Sequence, residues 1–281
     1  MPSLDLAALA DLTTELTALS ARAANAIQRV KEQSRGGISV RIKADSSPVT
    51  QADDAAEEII RDGLARLHPA WPVISEEQKE HVTPSGNTPH FLVDPLDGTR
   101  EFIAGQDEYT VNIGLVAGGA PILGVIAAPA LGLIWRGIVG RGAERQEFAG
   151  NKISPAKLVR ARVPPAGELR VMISRSHLDT RTLAYLDSLP HTHRMACGSS
   201  IKFCRLAEGA ADHYPRLAPT RDWDVAAGHA ILVAAGGTVI DPDGAPIVYG
   251  TPELRIPGFL AWGASARTEG ALNGSHSIVK G

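Results

Sequence analysis

Phe91-Leu92-Val93-Asp94-Pro95-Leu96-Asp97-Gly98-Thr99 is the stretch on which both fold and chemistry turn. Three apolar residues predict a buried strand, and a Gly-Thr turn ends it. Two carboxylates stand three residues apart at that end. Oxygen donors on a rigid strand suit a hard cation such as Mg²⁺. The Gly98-Thr99 step can open a helix, whose free N–H groups attract phosphate. A cation site touching a phosphate site points to phosphoryl chemistry. The alternative is a plain Asx-type turn, in which Asp94 and Pro95 only shape the loop.

Upstream, Val73 and Ile74 predict a short strand leading into Ser75-Glu76-Glu77, and 79–89 reads as a polar surface loop. Residues 52–67 have helical periodicity, with Ala56, Ile59, Ile60, Leu64 and Leu67 inward. Ile38, Val40 and Ile42 alternate with Ser39 and Arg41, as in a half-buried strand. Leu9, Leu12, Leu16, Leu19, Ala23 and Ile27 mark one face of a long first helix ending near Gly36-Gly37. Downstream, the apolar segments 109–117, 121–128 and 133–139 predict a β-meander. A Gly-, Pro-, Arg- and Lys-rich stretch over 140–167 predicts a division between residues 1–150 and 151–281. The second half alternates: strand 169–173, helix 178–188, helix 200–209, strand 211–214, helix 224–235, strand 238–240, a strand near 259–262 and a helix over 264–272. That alternation implies α/β organisation.

A chain of 281 residues can build one large or two modest domains. With 44% apolar and 21% charged residues, it reads as an ordinary globular protein. Net charge is −3, and no basic run argues for a nucleic acid polymer. A protein of this charge that handles anions must concentrate positive charge locally, in metals, helix ends or single Lys and Arg residues. No stretch reaches the roughly 18 apolar residues needed to span a bilayer, and no signal peptide is visible. Cys197 and Cys204 are too few for a disulfide framework and read as small buried thiols, which favours the cytoplasm.

Four acidic residues besides Asp94 and Asp97 stand at predicted element boundaries: Asp53, Glu76, Glu77 and Asp224. Helix capping is the alternative for Asp53 and Asp224, and taken singly it is the better reading of Asp53. A solvated pair explains Glu76-Glu77. Spacing alone does not bring these groups together. His229, inside an apolar helix, reads as a core histidine, and Trp223 as a packing residue.

Taken together, Ser75-Glu76-Glu77, then Asp94-Pro95-Leu96-Asp97-Gly98-Thr99, then Trp223-Asp224-Val225-Ala226-Ala227-Gly228 resemble the inositol monophosphatase superfamily. Further segments resemble one branch of it. They are Arg100-Glu101-Phe102, Tyr109-Thr110-Val111-Asn112-Ile113, Ser174-Arg175-Ser176-His177, Gly198-Ser199-Ser200-Ile201-Lys202-Phe203-Cys204 and Tyr214-Pro215-Arg216. That branch is the 3′(2′),5′-bisphosphate nucleotidases of the bacterial CysQ type, and the similarity runs from about residue 40 to residue 263.

The resemblance implies an α+β layered αβαβα sandwich and a lithium-sensitive, Mg²⁺-dependent phosphatase using two or three ions. The implied substrate is the nucleotide adenosine 3′,5′-bisphosphate, a by-product of sulfate assimilation, or its sulfated form. By the same resemblance, Glu76, Asp94 and the Leu96 carbonyl hold one Mg²⁺, and Asp94, Asp97 and Asp224 a second. Asp53 pairs with Thr99 and serves the attacking water, while Glu77 holds a further, weaker ion or its water. The Gly98 and Thr99 N–H groups bind phosphate oxygens. Ser174, His177, Ser199, Ser200, Lys202 and Arg216 form the nucleotide side, with Lys202 and Arg216 expected on the 5′-phosphate. A solvated helix residue is the alternative for Lys202, and a helix cap for His177. Arg100 stands where many relatives carry Lys. The implied location is cytoplasmic, with a peripheral place at the inner membrane as the second option. An inositol monophosphatase, a broad sugar phosphatase and a catalytically silent nucleotide sensor remain the rival functions.

Overall fold

The computed structural model describes residues 4–34, 37–43, 47–84 and 87–264. The chain opens with α1 (Leu6–Gln33), capped by Asp5, whose carboxylate accepts the Ala8 N–H at 2.8 Å. The hairpin β1 (Val40–Ile42) and β2 (Pro48–Thr50) leads into α2 (Gln51–Leu67). Then come β3 (Val73–Ser75), β4 (His90–Asp97), the short α3 (Thr99–Ile103), β5 (Thr110–Ala117), β6 (Ala120–Ala128) and β7 (Leu133–Ile138). Next are β8 (Gly142–Ala149), β9 (Lys152–Ile153) and β10 (Lys157–Val159). The remainder runs β11 (Leu169–Ser174), α4 (Thr180–Ser188), β12 (Thr192–Cys197), α5 (Ile201–Ala207), β13 (His213–Arg216), β14 (Thr220–Arg221) and α6 (Asp222–Ala234). It closes with β15 (Thr238–Ile240), β16 (Arg255–Ile256) and β17 (Phe259–Trp262).

Two sheets organise the molecule. The first runs β10-β8-β7-β6-β5-β4-β3, with β9 paired to β8, and is antiparallel except for β3 beside β4. The second runs β12-β11-β13-β17-β15. Helices α1 and α2 pack on one face of the first sheet, where Leu16, Ile27, Ile60 and Leu64 are fully buried against Val111, Ile113 and Val125. Helices α5 and α6 fill the space between the sheets, and α4 covers the outer face of the second around Val171, Leu186 and Trp262. The result is the expected αβαβα layering, with burial of apolar side chains on both faces of the first sheet as its main stabilising term.

Helix α6 carries Asp224, and its seat is cut by glycines. Gly114, Gly124 and Gly137 lie side by side on β5, β6 and β7 as register partners. A Cβ at Gly124 would lie 2.1 Å from the Ala227 carbonyl oxygen. At Gly137 it would lie 2.8 Å from the Ile231 Cα, and at Gly114 3.0 Å from the Ala227 nitrogen. Three missing side chains in a row thus form a trough into which the α6 backbone sinks.

Sequence expectation and structure part at several elements. Ile38, Val40 and Ile42 do not mark a half-buried strand: every residue of β1 is exposed, and Ile42 is 68% accessible, because β1 pairs only with β2 outside both sheets. Apolar alternation reports burial only where a layer covers the strand. The stretch 140–167, read only as the place of a division, has regular structure of its own. It holds β8, β9 and β10, which extend the first sheet to Val159. The half-polar sequences of these edge strands hid them. β12 escaped notice for the same reason, its residues Thr192, His193 and Arg194 being polar. The helix expected over 264–272 lies outside the described residues apart from its first residue.

Candidate active site

The site begins with an irregularity in β4. Asp94 pairs with Asn112 and Asp97 with Thr110, so three steps along β4 match two along β5. In a regular strand residues three apart point to opposite faces. The extra residue of this bulge changes that parity, and both Asp94 and Asp97 line one cleft. Pro95 has no N–H to lose there. Asp94 Oδ1 accepts the Leu96 N–H at 3.0 Å, so the Asx-type turn is real and coexists with exposure of the carboxylate to the cleft. Gly98, at φ +93°, then turns the chain into α3.

Three carboxylates from three elements meet at this point. Glu76 follows β3, which runs parallel to β4, Asp94 sits on β4 and Asp224 lies in the first turn of α6. One oxygen from each lies within 4.8 Å of the others. Asp224 is held by the Thr220 hydroxyl and by the Arg221 N–H at 3.0 Å. Asp97 stands beside the trio. Its Oδ2 accepts the Ser200 N–H at 2.6 Å and lies 2.6 Å from the Ser200 hydroxyl.

Burial, then repulsion by Glu76, Asp97 and Asp224, drives the Asp94 carboxyl far above its ordinary range. Burial pushes Glu76 up to about 7 despite Lys43, and Asp224 rises through burial and Asp97. Like charges at this spacing hold protons unless a cation neutralises them. The donors are all oxygen, and a hard divalent cation fits them better than a soft one. Glu76, Asp94 and Asp224 are therefore the residues able to hold such an ion.

Asp53 is buried at the third position of α2. Its Oδ2 accepts the Thr50 N–H at 2.8 Å and the Thr50 hydroxyl at 2.7 Å, completing a capping box. Its Oδ1 lies 3.1 Å from the Thr99 hydroxyl, which is also 3.0 Å from the Leu96 carbonyl oxygen. Burial raises the Asp53 carboxyl. Glu77, raised by burial, accepts from Lys43 Nζ at 2.6 Å, and the same ammonium reaches Glu76 at 2.9 Å.

Ser174, His177, Ser199, Ser200, Lys202 and Arg216 line the same cleft as the acidic trio, together with Gly98, Thr99 and Arg100. Two of them are engaged within the chain. Lys202, expected on the 5′-phosphate with a solvated helix residue as the alternative, is 2% exposed, and its ammonium donates to the carbonyls of Cys197 (3.1 Å) and Ser199 (2.5 Å). Ser200 is committed to Asp97, and its hydroxyl also accepts the Asn112 amide at 2.9 Å. Arg216 is different, since its buried Nε has no hydrogen-bond partner. Desolvation in the cleft, then the charges of Arg216 and Arg100, pull the His177 imidazole below its usual value.

Sequence reasoning missed Lys43, Thr220 and the role of Asn112. Lys43 had no motif around it, and nothing along the chain shows that β1–β2 folds toward β3. Thr220, four residues before Asp224, was legible as a capping hydroxyl. His229 and the two cysteines are packed in the interior, as their surroundings in the sequence suggest. His229 Nδ1 lies 2.9 Å from the Tyr249 hydroxyl, its ring pulled down to about 4 by burial. Cys197 and Cys204 are buried free thiols. Among the described residues, no helix is long and apolar enough to cross a membrane.

Comparison with known proteins agrees with this geometry. Residues 10–273 match the model of the inositol monophosphatase family. The chain is 42% identical over 248 residues to the 3′(2′),5′-bisphosphate nucleotidase CysQ of Escherichia coli (strain K12), covering 86% of this chain and 95% of that one. It is 31% identical over 231 residues to the protein of the same name from Haemophilus influenzae, covering 80% and 84%. Among solved structures, CysQ from Bacteroides thetaiotaomicron, described as a bacterial member of the inositol monophosphatase family, superposes with a TM-score of 0.79 at 32% identity over 93% of this chain and 100% of that one. An inositol monophosphatase from Anabaena shares the fold, with a TM-score of 0.72 at 23% identity over 92% of each chain. On its matched length and on the three motifs that meet in one cleft, the chain belongs to the inositol monophosphatase family.

Proposed function

We infer that this protein is a Mg²⁺-dependent phosphatase that hydrolyses the 3′-phosphate of adenosine 3′,5′-bisphosphate to adenosine monophosphate and phosphate. One observation carries the reading: a single cleft holds an acidic trio at one end and, near it, an arginine whose buried Nε has no partner. A monoester with a second anionic group satisfies both. The identity to curated nucleotidases supports the same substrate class.

In this reading Glu76, Asp94 and the Leu96 carbonyl would hold one ion, Asp94, Asp97 and Asp224 a second, and Glu77 a weaker third. Mg²⁺ there would supply an acidified water and positive charge against the phosphate. The chain's own groups do the rest. The Gly98 and Thr99 N–H groups at the start of α3 hold phosphate oxygens. Thr99 donates to Asp53 Oδ1 and presents its lone pairs to the attacking water. Asp53, raised by burial, receives the water's proton through that contact. Water oxygen bonds to phosphorus, the bond to O3′ breaks, and the electron pair leaves on O3′, which takes up a proton.

Arg216 and Arg100 face the 5′-phosphate, with Ser174, His177 and Ser199 along the nucleoside. Lys202 and Ser200 shape the wall rather than touch substrate, since their polar groups are engaged within the chain. Two free buried cysteines suit a reducing cytoplasm, where sulfate assimilation yields this by-product.

Phosphate release from adenosine 3′,5′-bisphosphate and from inositol 1-phosphate, at equal Mg²⁺, tests the reading. A kcat/KM at least 100-fold higher for the bisphosphate is expected. Equal values would establish a general monoesterase, and tight nucleotide binding without phosphate release would establish a sensor.

A further inference from the structure

We propose that Glu108, clamped by Arg175, is a positioning residue that sets the cation affinity of the site from outside it. Glu108 lies between α3 and β5 and is not among the cleft-lining residues. Its carboxylate receives the Arg175 guanidinium as a fork, 2.9 Å from Nε to Oε2 and 2.9 Å from Nη2 to Oε1. The same Oε2 accepts the Gly198 N–H at 2.7 Å. Arg175 also donates to the Ala196 carbonyl at the end of β12. A planar bidentate pair of this kind fixes direction as well as distance.

The backbone of Glu108 is gripped as firmly as its side chain. A Cβ at Gly98 would lie 2.9 Å from the Glu108 carbonyl oxygen, and one at Gly198 2.8 Å from that same atom. The residue is thus wedged between two glycines, one opening the phosphate-binding turn and one opening the turn before α5. The two serines after Gly198 carry this grip to the chemistry. Ser199 is held at φ +50°, a conformation most residues avoid, and Ser200 then points its N–H and hydroxyl at Asp97 Oδ2, each at 2.6 Å. The path from Arg175 to Asp97 is therefore an unbroken run of contacts and bonds. Loosening Glu108 frees the Gly198-Ser199 turn and lets Asp97 rotate away from Asp94.

This inference rests on Asp97 being a cation ligand. Titration calorimetry of purified protein with Mg²⁺ alone, without substrate, tests it on wild type, E108A, E108Q and R175M. Removing a residue that orients a ligand typically weakens metal binding 10–100-fold. Roughly tenfold weaker Mg²⁺ binding is expected for E108A, with smaller losses for E108Q and R175M, whose Gly198 contact survives. Turnover of each variant should recover at saturating Mg²⁺, whereas a merely structural role would lower the unfolding midpoint and leave the affinity of folded protein unchanged. Should E108A not fold, E108Q and R175M decide by the same measurement. Folded variants with wild-type affinity would overturn the inference alone. Failure of wild type to bind Mg²⁺ would overturn the cation site and the inference together.

Discussion

Replacing Asp94 by Asn should stabilise the metal-free protein while abolishing its activity, and the stabilisation should grow with pH. Asp94 is 1% exposed and shares its site with Glu76 and Asp224 within 4.8 Å. At an effective dielectric of about 20, two unit charges at that distance repel by about 3.5 kcal/mol. The cluster avoids this by keeping a proton that the unfolded chain has released above its ordinary value of 3.8. The sign follows: the native state binds more protons than the unfolded state, so native stability falls as pH rises from that value. While that proton is retained, native stability falls by at most about 1.4 kcal/mol per pH unit. An asparagine amide needs no such proton, and its side-chain oxygen can still accept the Leu96 N–H that Asp94 Oδ1 accepts. Urea unfolding in a chelator at pH 5, 6 and 7 should show the variant ahead by a margin that widens with pH. Adding Mg²⁺ should then stabilise wild type and leave the variant unmoved. A margin that is flat with pH, or a variant that Mg²⁺ stabilises as much as wild type, would refute the shared-site argument.

Two other substitutions probe different parts of the argument. Arg216→Ala should raise KM for adenosine 3′,5′-bisphosphate about tenfold more than KM for a monoester lacking the 5′-phosphate, because one charge-assisted contact contributes on the order of 1.5–3 kcal/mol; equal changes in steady-state kinetics for both substrates would remove Arg216 from the 5′ side. Gly124→Ala should lower stability by about 3 kcal/mol and cut phosphate release, since a Cβ 2.1 Å from the Ala227 carbonyl must lift α6 and with it Asp224; a wild-type urea midpoint would show that the trough is not needed.

Much of the fold was legible because its central strands and packing helices carry clear periodicity. Leu9 to Ile27 and Ala56 to Leu64 declared helices whose inner faces are buried as read. The meander over 109–139 declared itself by apolar runs separated at Gly118-Gly119 and Leu131-Gly132. Edge elements were not legible. β8 reads Gly-Ala-Glu-Arg-Gln-Glu-Phe-Ala, with several polar residues half-exposed, and no periodicity separates it from loop. β1 misled in the opposite direction, its apolar residues lying in the open. The oxygen donors of the site were legible by type and position, while Lys43 and, outside the cleft, Glu108 were not. Both make contacts 33 or more residues distant along the chain, between Lys43 and Glu76 and between Glu108 and Gly198.

The choice the sequence posed between helix cap or turn former and functional carboxylate dissolves in the structure, because a carboxylate has two oxygens. Asp53 commits Oδ2 to Thr50 and brings Oδ1 to Thr99. Asp94 commits Oδ1 to the Leu96 N–H, Asp224 commits Oδ2 to the Arg221 N–H, and Asp97 commits Oδ2 to the Ser200 N–H. In each case a backbone donor fixes the carboxylate plane through one oxygen and leaves the other outside that bond. Free rotation about the side chain would otherwise have to be frozen at every binding event, at an entropic cost of up to about 1 kcal/mol per group. Under the proposed function, capping orders these carboxylates before any ion arrives, and an acidic residue at a helix start or strand bulge, with a second acidic residue nearby in space, is better read as both roles than as either.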